Sequence, residues 1–430
     1  MDKGIIFTFF LHCVFFLLHL FFLLYIHANN ILERFMAWKG PAPPAPTPDP
    51  PLPKLDSDED FHITGPRHMM TISPTETIEI DWDKEEHRRC ITACLVRGTY
   101  VLESERTKSR EASDDTRAPA WWESFHFRKL CVLECECECV FCQIGRHIVD
   151  IDFGRQRFIY GAIFEYVPPG GSPRHPSAPS YVVAFRGTMR RDATTVGDMR
   201  LNLRILLNAH HSCGRFSHAR EKVREFLNST AIPNGGLVWM AGHSLGASIA
   251  LDGGRDMMAQ RELNLNIPTF LFNPPHVSLA AAFNNELPMA KVAKIVVTSS
   301  SYFFKHGLGT VLMKRHKEDM GEQFKQLSPW IPNLYVHRRD FICKGFIDYF
   351  EQREQMHKLL PGVAASGTTL SYRDMCLFLF GMHKERPHLL PSAMLWENQS
   401  SVGNPHELRQ WWLPQGPELV LSRKAYKWPA

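Results

Sequence analysis

The chain has 430 residues, of which 44% are hydrophobic and 22% are charged, a composition typical of a globular protein with a large core. The formal net charge of +4 is too small to indicate nucleic-acid binding, and no aromatic and basic motif supports that function. The 11 cysteines lack the spacing of a disulfide framework, which favours a reducing compartment and predicts a cytoplasmic protein.

Residues 1–35 contain a long apolar segment, Ile5–Ile26, that carries no formally charged side chain. It is long enough to span a bilayer and longer than the apolar part of an ordinary signal peptide. The charges on its flanks cancel in pairs and predict no orientation. Two interpretations stay open: a signal anchor that associates the protein with a membrane, or an extension ahead of a true start at Met36 or later.

Residues 36–77 are predicted to form a flexible linker. Eight prolines lie between Gly40 and Lys54, and an acidic patch follows at Asp56–Asp60. Such a run of prolines favours extended polyproline II and cannot pack a core. The ordered domain is therefore predicted to cover 78–430, beginning with a helical pattern from Glu85 to Val96.

A Cys-rich segment at 130–142 contains alternating glutamates and cysteines from Glu134 to Cys139. Closely spaced thiolates can bind zinc or copper. However, no second pair of Cys or His ligands lies at the spacing of a zinc site, and the interleaved glutamates oppose thiolate formation. The segment is therefore interpreted as an unstructured insertion, similar to a translated simple repeat, and no metal site is predicted.

From about Phe158 onward, short apolar runs alternate with helical stretches. This alternation is typical of a mostly parallel sheet covered by helices, so the predicted fold class is α/β. The candidate strands are Tyr160–Tyr166, Tyr181–Phe185, Leu237–Ala241, Thr269–Phe272 and Leu334–His337.

The stretch Gly242-His243-Ser244-Leu245-Gly246 lies between a candidate strand and a helical pattern that begins at Ala247. Strand, sharp turn and helix form the nucleophile elbow of a serine hydrolase, in which the crowded turn requires glycines on both sides. The helix N-terminus adds positive potential where an oxyanion develops. Ser244 is therefore the predicted nucleophile.

Two residues are predicted to contribute to an oxyanion hole. One donor is expected to be the N–H of the residue that follows the nucleophile, which is Leu245. The second is expected from a loop after an earlier strand, and Thr188 lies just after the strand Tyr181–Phe185. An ordinary turn at the end of the strand is the alternative interpretation of Thr188.

The acid and the base of a triad are expected after the serine, with the histidine last. Asp340 follows the candidate strand Leu334–His337 and is the predicted acid, whereas Asp252 and Asp256 lie within the helix after the elbow. For the base, His406 in a loop-like stretch is favoured, and His388 stays open as the alternative.

Several motifs resemble the class 3 lipases, and more closely a plant group of lipase-like α/β-hydrolases that often carries the label GDSL esterase/lipase. This chain has Gly-His-Ser-Leu-Gly at its elbow and no Gly-Asp-Ser-Leu box. The matching stretches are Ile80-Asp81-Trp82-Asp83, Glu86-His87-Arg88-Arg89-Cys90, Pro119-Ala120-Trp121-Trp122-Glu123, Ala184-Phe185-Arg186-Gly187-Thr188, the elbow, Phe272-Asn273-Pro274-Pro275 and Gln410-Trp411-Trp412.

The resemblance implies an α/β-hydrolase fold, a Ser-Asp-His triad, and neither a metal nor an organic cofactor. Residue by residue, it implies that Ser244 is the nucleophile, Asp340 the acid, His406 the base and Thr188 an oxyanion residue. The expected activity is hydrolysis of carboxylic esters, with lipid acyl esters as substrates and a lid within Leu279–Gln326. Two alternatives stay open: a catalytically silent binding or scaffold protein, and an acyltransferase.

Overall fold

The computed structural model describes residues 65–69, 80–108, 122–135, 158–188, 214–260, 265–276, 288–379 and 390–428. All of them lie in one compact unit, Asp56–Ala430. The predicted N-terminal segment 1–35 lies outside these residues, and so does the predicted linker 36–77 apart from 65–69.

Within the described ranges, one sheet contains eight strands, and their spatial order follows their order along the chain. They are β1 (Phe127–Cys135), β2 (Phe158–Tyr166), β3 (Tyr181–Phe185), β4 (Val238–His243), β5 (Thr269–Phe272), β6 (Asn333–His337), β7 (Ala393–Asn398) and β8 (Leu421–Tyr426). Strands β3 to β7 are parallel, whereas β1, β2 and β8 pair antiparallel with their neighbours. The prediction of a mostly parallel α/β fold is confirmed.

Helices cover both faces of this sheet. The α-helices in the described residues are α1 (Glu85–Lys108), α2 (Gly214–Phe226), α3 (Leu245–Ala259), α4 (Pro288–Val311), α5 (Lys314–Leu327), α6 (Gly345–Leu359), α7 (Pro361–Thr369) and α8 (Tyr372–Leu379). On one face α1 packs across β2, β3 and β4, and on the other α3 packs across β3, β4 and β5.

The apolar runs of the central strands fill two cores at once. In β4, Met240 joins the core beneath α2 and α3, whereas Trp239 and Ala241 join the core beneath α1. Successive side chains of a strand point to opposite faces, so a strand that is covered on both faces needs a continuous apolar run. This requirement is the reason that the parallel strands β3 to β6 could be predicted from the sequence.

The strand β1 corrects the prediction for the Cys-rich segment 130–142. Leu130–Cys135 forms the second half of β1 and pairs antiparallel with β2, so the prediction of an unstructured insertion is wrong for these residues. Leu133 and Cys135 are buried, while Glu134 between them is half-exposed. The alternation of apolar and charged residues is the period-two pattern of an edge strand with one buried face. Residues 136–142 lie outside the described residues.

The predicted linker is also wrong for residues 65–69. Arg67–Met69 forms a single helical turn, and Met69 is buried in the core beneath α1. His68 lies next to this core, with its Nε2 atom 3.2 Å from a carboxylate oxygen of Glu86. This short segment packs against the domain.

In the described part of the chain, no helix is long and apolar enough to cross a membrane. The predicted anchor Ile5–Ile26 lies outside that part, so membrane association and a cytoplasmic location stay predictions.

Within the same described ranges, no group of three or more His, Cys, Asp or Glu side chains could hold a metal ion. Of the predicted lid Leu279–Gln326, residues 288–326 fall within α4, α5 and the turn between them.

Candidate active site

Ser244 is the single residue between the end of β4 and the start of α3. Its backbone has φ 53° and ψ −123°, a combination that is costly for any residue other than glycine. The N–H of Ser244 donates to the carbonyl oxygen of Phe272 in β5, at 2.9 Å. This strained turn separates Ser244 from both adjoining elements and matches the geometry of a nucleophile elbow.

The two glycines of the elbow are required because the backbones around Ser244 lie too close for side chains. A Cβ atom on Gly242 would lie 2.7 Å from the backbone nitrogen of Ala247, and still closer to Gly246. A Cβ atom on Gly246 would lie 2.6 Å from the carbonyl oxygen of Arg186. Only glycine at both positions lets α3 begin directly against β3 and β4.

Ser244, His406 and Asp340 form a continuous hydrogen-bonded row. The Oγ atom of Ser244 lies 3.1 Å from Nε2 of His406, and Nδ1 of His406 lies 2.8 Å from Oδ2 of Asp340. Asp340 follows β6 and His406 follows β7, so all three residues come from the carboxyl ends of parallel strands. The structure therefore brings together the three residues that were predicted to form a triad.

Asp340 is buried, and its carboxylate accepts several hydrogen bonds. The N–H of Ile342 donates to Oδ1 at 3.0 Å, while the side-chain amide of Asn273 and the thiol of Cys343 donate to Oδ2 at 2.8 and 3.2 Å. Burial raises the pKa of Asp340, but the His406 hydrogen bond and charge, together with the other donors, outweigh it and hold the pKa below its ordinary value. Asp340 is thus kept ionised and aimed at His406.

Asn273 is a site residue that the sequence reasoning missed. Besides Asp340, its side-chain amide donates to the carbonyl oxygen of Pro405 at 2.9 Å, and its Oδ1 atom accepts from the indole of Trp411 at 2.6 Å. Its φ of 47° lies in the left-handed region that asparagine tolerates. Through these hydrogen bonds, Asn273 connects Asp340 to the loop that carries His406.

An ion pair on α1, between the buried Arg89 and the half-buried Glu85, contacts the C-terminal segment next to His406. The guanidinium of Arg89 donates to the carbonyl oxygen of Trp411, and its Nε atom lies 3.4 Å from Glu85. Glu85 also accepts a 2.9 Å hydrogen bond from the hydroxyl of Tyr335 in β6. These contacts join the first helix of the domain to the C-terminal segment next to His406.

The two predicted oxyanion residues come from different parts of the chain: Leu245 directly follows Ser244, and Thr188 follows β3. Leu245 is the first residue of α3, so its N–H has no carbonyl partner within the helix and lies at the positive end of the helix dipole. Thr188 is exposed and follows Gly187, where an added Cβ atom would lie 3.0 Å from Cβ of Ser244. The loop after β3 therefore passes directly against the serine.

Asp252 and Asp256, the other aspartates that follow Ser244 closely in the sequence, are not part of this hydrogen-bonded row. Asp256 pairs with Arg224 of α2 at 2.9 Å, and Asp252 pairs with Arg220 of α2 and with Arg255. These contacts hold α2 against α3, on the face of the sheet opposite to α1.

Among the other histidines, His357 lies on α6, where its ring packs edge-on against Trp428. His388, the alternative base, lies outside the described residues. His406 is the histidine that the structure places next to Ser244 and Asp340.

No family model matches the chain, and no solved structure matches it. A protein of Arabidopsis thaliana that is named a GDSL esterase/lipase is 30% identical over 384 residues, which cover 83% of this chain and 95% of that protein. The sequence prediction of a plant esterase or lipase is thereby confirmed at the level of the family. The chain belongs to the lipase- and esterase-like plant family of which that Arabidopsis protein is a member.

Proposed function

We propose that this protein hydrolyses carboxylic esters, with lipid acyl esters as its substrate class, through an acyl-enzyme on Ser244. The observation that carries the proposal is the row from Ser244 Oγ through His406 to Asp340, with separations of 3.1 and 2.8 Å. The name of the Arabidopsis relative supports the same reaction class. The chain order of serine, acid and histidine supports an α/β-hydrolase fold, and the elbow and its flanking motifs support the class 3 lipase type.

In the first half of the proposed reaction, Asp340 accepts a hydrogen bond from the Nδ1–H of His406, so the lone pair of Nε2 faces Ser244. His406 takes the hydroxyl proton as Oγ attacks the ester carbonyl. The Leu245 N–H and Thr188 bind the developing oxyanion. His406 then gives its proton to the leaving alcohol, and the acyl group stays on Ser244.

In the second half, His406 removes a proton from a water molecule, which attacks the acyl-enzyme and releases the carboxylic acid. Asp340 stabilises the imidazolium that forms in each half without being protonated itself. If an alcohol replaces water in this step, the product is a new ester. Product analysis with a competing alcohol therefore distinguishes a hydrolase from an acyltransferase.

The test of the proposed function is covalent labelling with a fluorophosphonate, which reacts with an activated serine and spares an inert one. We expect the wild-type protein to be labelled and Ser244→Ala to be unlabelled. Ser248→Ala is the matched control, because Ser248 lies one turn along α3 from Ser244 and is expected to leave labelling unchanged. A folded wild-type protein that takes up no label would instead be a catalytically silent member of the family.

Thr188→Val tests whether the Thr188 hydroxyl, in the loop after β3, binds the oxyanion. If the Thr188 hydroxyl donates to the oxyanion, its loss will raise the barrier by about 2.7–4 kcal/mol, which lowers kcat by about 100- to 1000-fold. Thr188 is exposed, so the melting temperature should change little. Thr310→Val, at another exposed threonine on α4, is the control and should keep wild-type kcat. Wild-type turnover in Thr188→Val would show that the side chain makes no such bond.

A further inference from the structure

A second hydrogen-bonded row lies next to the Ser244 site, and its two central side chains have no role in the proposed mechanism. The N–H of Gly187 donates to the hydroxyl of Tyr100 at 2.7 Å, and this hydroxyl lies 2.8 Å from Nδ1 of His243. On the other side of its ring, Nε2 of His243 lies 3.0 Å from the carbonyl oxygen of His406. The row therefore starts in the loop after β3 and ends on the backbone of the proposed base.

The chemistry of the partners determines where each proton lies in this row. The His406 carbonyl can only accept, so Nε2 of His243 must carry the hydrogen. In a neutral imidazole the other nitrogen then accepts, so the Tyr100 hydroxyl donates to Nδ1. The oxygen of Tyr100 is left to accept the N–H of Gly187. All three hydrogen bonds are satisfied together when His243 is neutral.

The surroundings keep both ring systems in these forms. Burial, followed by the charge of His406, lowers the pKa of His243 to about 3. Burial likewise raises the pKa of Tyr100 to about 12. A neutral His243 also adds no like charge beside His406, whose ring centroid is 5.1 Å away, when His406 becomes an imidazolium in the reaction.

We propose that Tyr100 and His243 are positioning residues. They hold the loop after β3, which carries Gly187 and Thr188, and the base His406 in fixed positions next to Ser244. This inference rests on the proposed function. Neither residue touches the reacting atoms; both act through the backbone of residues that do.

The geometry around Gly187 explains why this loop needs to be held. Its N–H is bound by Tyr100, and its carbonyl oxygen accepts a 2.8 Å hydrogen bond from the guanidinium of Arg186. The carbonyl of Gly187 shares a peptide plane with the N–H of Thr188, which points the opposite way in a trans peptide. Fixing both sides of Gly187 therefore fixes the direction of the Thr188 N–H beside Ser244.

Tyr100→Phe removes the centre of the row and leaves the size of the side chain almost unchanged. We expect kcat for a short p-nitrophenyl ester to fall by about 10- to 100-fold, because a small misplacement of reacting groups has an effect of that order. KM should stay within about twofold of wild type, since the substrate pocket keeps its side chains. Because unfolded protein would also lower the apparent kcat at unchanged KM, kcat is expressed per mole of folded protein and compared with that of the control variant.

Tyr160→Phe is the matched control. Tyr160 in β2 also has its hydroxyl next to Nδ1 of a histidine, at 3.0 Å from His218, and this pair has no hydrogen bond to Ser244, Asp340 or His406. Tyr160→Phe loses one tyrosine–histidine hydrogen bond, whereas Tyr100→Phe loses such a bond and also the one from the N–H of Gly187, so Tyr100→Phe is expected to have the larger decrease in melting temperature. Only Tyr100→Phe should lose kcat.

His243 provides a second pair of variants in case Tyr100→Phe does not fold. His243→Phe removes both hydrogen bonds of the ring, whereas His243→Asn keeps an acceptor near the position of Nδ1. We expect kcat of His243→Asn to lie between the wild type and His243→Phe. Equal kcat for these two variants, measured on folded protein, would contradict a role for the Tyr100 hydrogen bond.

Two outcomes overturn the positioning role alone: wild-type kcat in Tyr100→Phe, or an equal loss of kcat in Tyr160→Phe. In both cases fluorophosphonate labelling of Ser244 still supports the proposed function. If the folded wild-type protein neither takes up the label nor hydrolyses esters, the proposed function and the positioning role are both wrong.

Discussion

Replacing Ser244 with alanine is expected to lower kcat for ester hydrolysis by about 10⁶-fold, the size of effect seen when a triad nucleophile is removed. The Oγ atom of Ser244 lies 3.1 Å from Nε2 of His406, and no acyl-enzyme can form without it. Steady-state hydrolysis of a short p-nitrophenyl ester measures this loss. Residual hydrolysis should come from binding and the oxyanion donors alone.

The Ser244→Ala variant should still fold, because the change removes one oxygen atom from a residue that keeps its backbone contacts. The N–H of Ser244 donates to Phe272 and its carbonyl oxygen accepts from Ala247, and neither hydrogen bond involves the hydroxyl. Ser248→Ala, which makes the same chemical change one helical turn away, is expected to keep wild-type kcat. Equal turnover in Ser244→Ala and the wild type would rule out Ser244 as the nucleophile.

Asp340→Asn is expected to lower kcat by about 10⁴-fold, because the amide can no longer orient His406 in the required tautomer. At Oδ2, Asp340 accepts from His406, Asn273 and Cys343, so an NH₂ group at that position would face three donors. If the amide turned over, its NH₂ group would face the N–H of Ile342 instead. Asparagine therefore fits neither way without losing hydrogen bonds.

The control for this variant is Asp252→Asn. Asp252 is half-buried and ion-paired with Arg220 and Arg255, so its loss affects the contact between α2 and α3 and leaves the Ser244 row intact. We expect Asp252→Asn to keep kcat, even if its unfolding midpoint in urea decreases. Wild-type kcat in folded Asp340→Asn would contradict the proposed role of the carboxylate.

The local sequence was sufficient to predict the elbow and the strands that surround it. Gly242 and Gly246 stand where a Cβ atom would collide with neighbouring backbone, and a strand pattern directly before Ser244 and a helix pattern after it specify the turn. Asp340 could be predicted because it follows a buried strand in the order that this kind of triad requires.

Edge elements were harder to predict than the central strands. Strand β1 lies at one edge of the sheet and buries only part of its side chains, so it lacks a continuous apolar run. The alternation of glutamates and cysteines begins with the last two residues of β1, Glu134 and Cys135, and it resembles a simple repeat, although an alternating pattern also suits a strand with one exposed face. The edge strand β8 at the other side of the sheet and its neighbour β7 were missed as well, and neither has a continuous run of buried side chains.

By itself, therefore, the sequence determined what short-range sterics and periodicity control: the crowded turn at Ser244, the parallel strands β3 to β6 and the order of the triad. The tertiary structure decided which distant residues complete the site. Tyr100 and His243 are 143 residues apart, and Asn273 and Trp411 are 138 apart, yet each pair is joined by one hydrogen bond. Such contacts form only when α1 and the segment that contains Trp411 fold against the same face of the sheet, and no local sequence pattern predicts that contact.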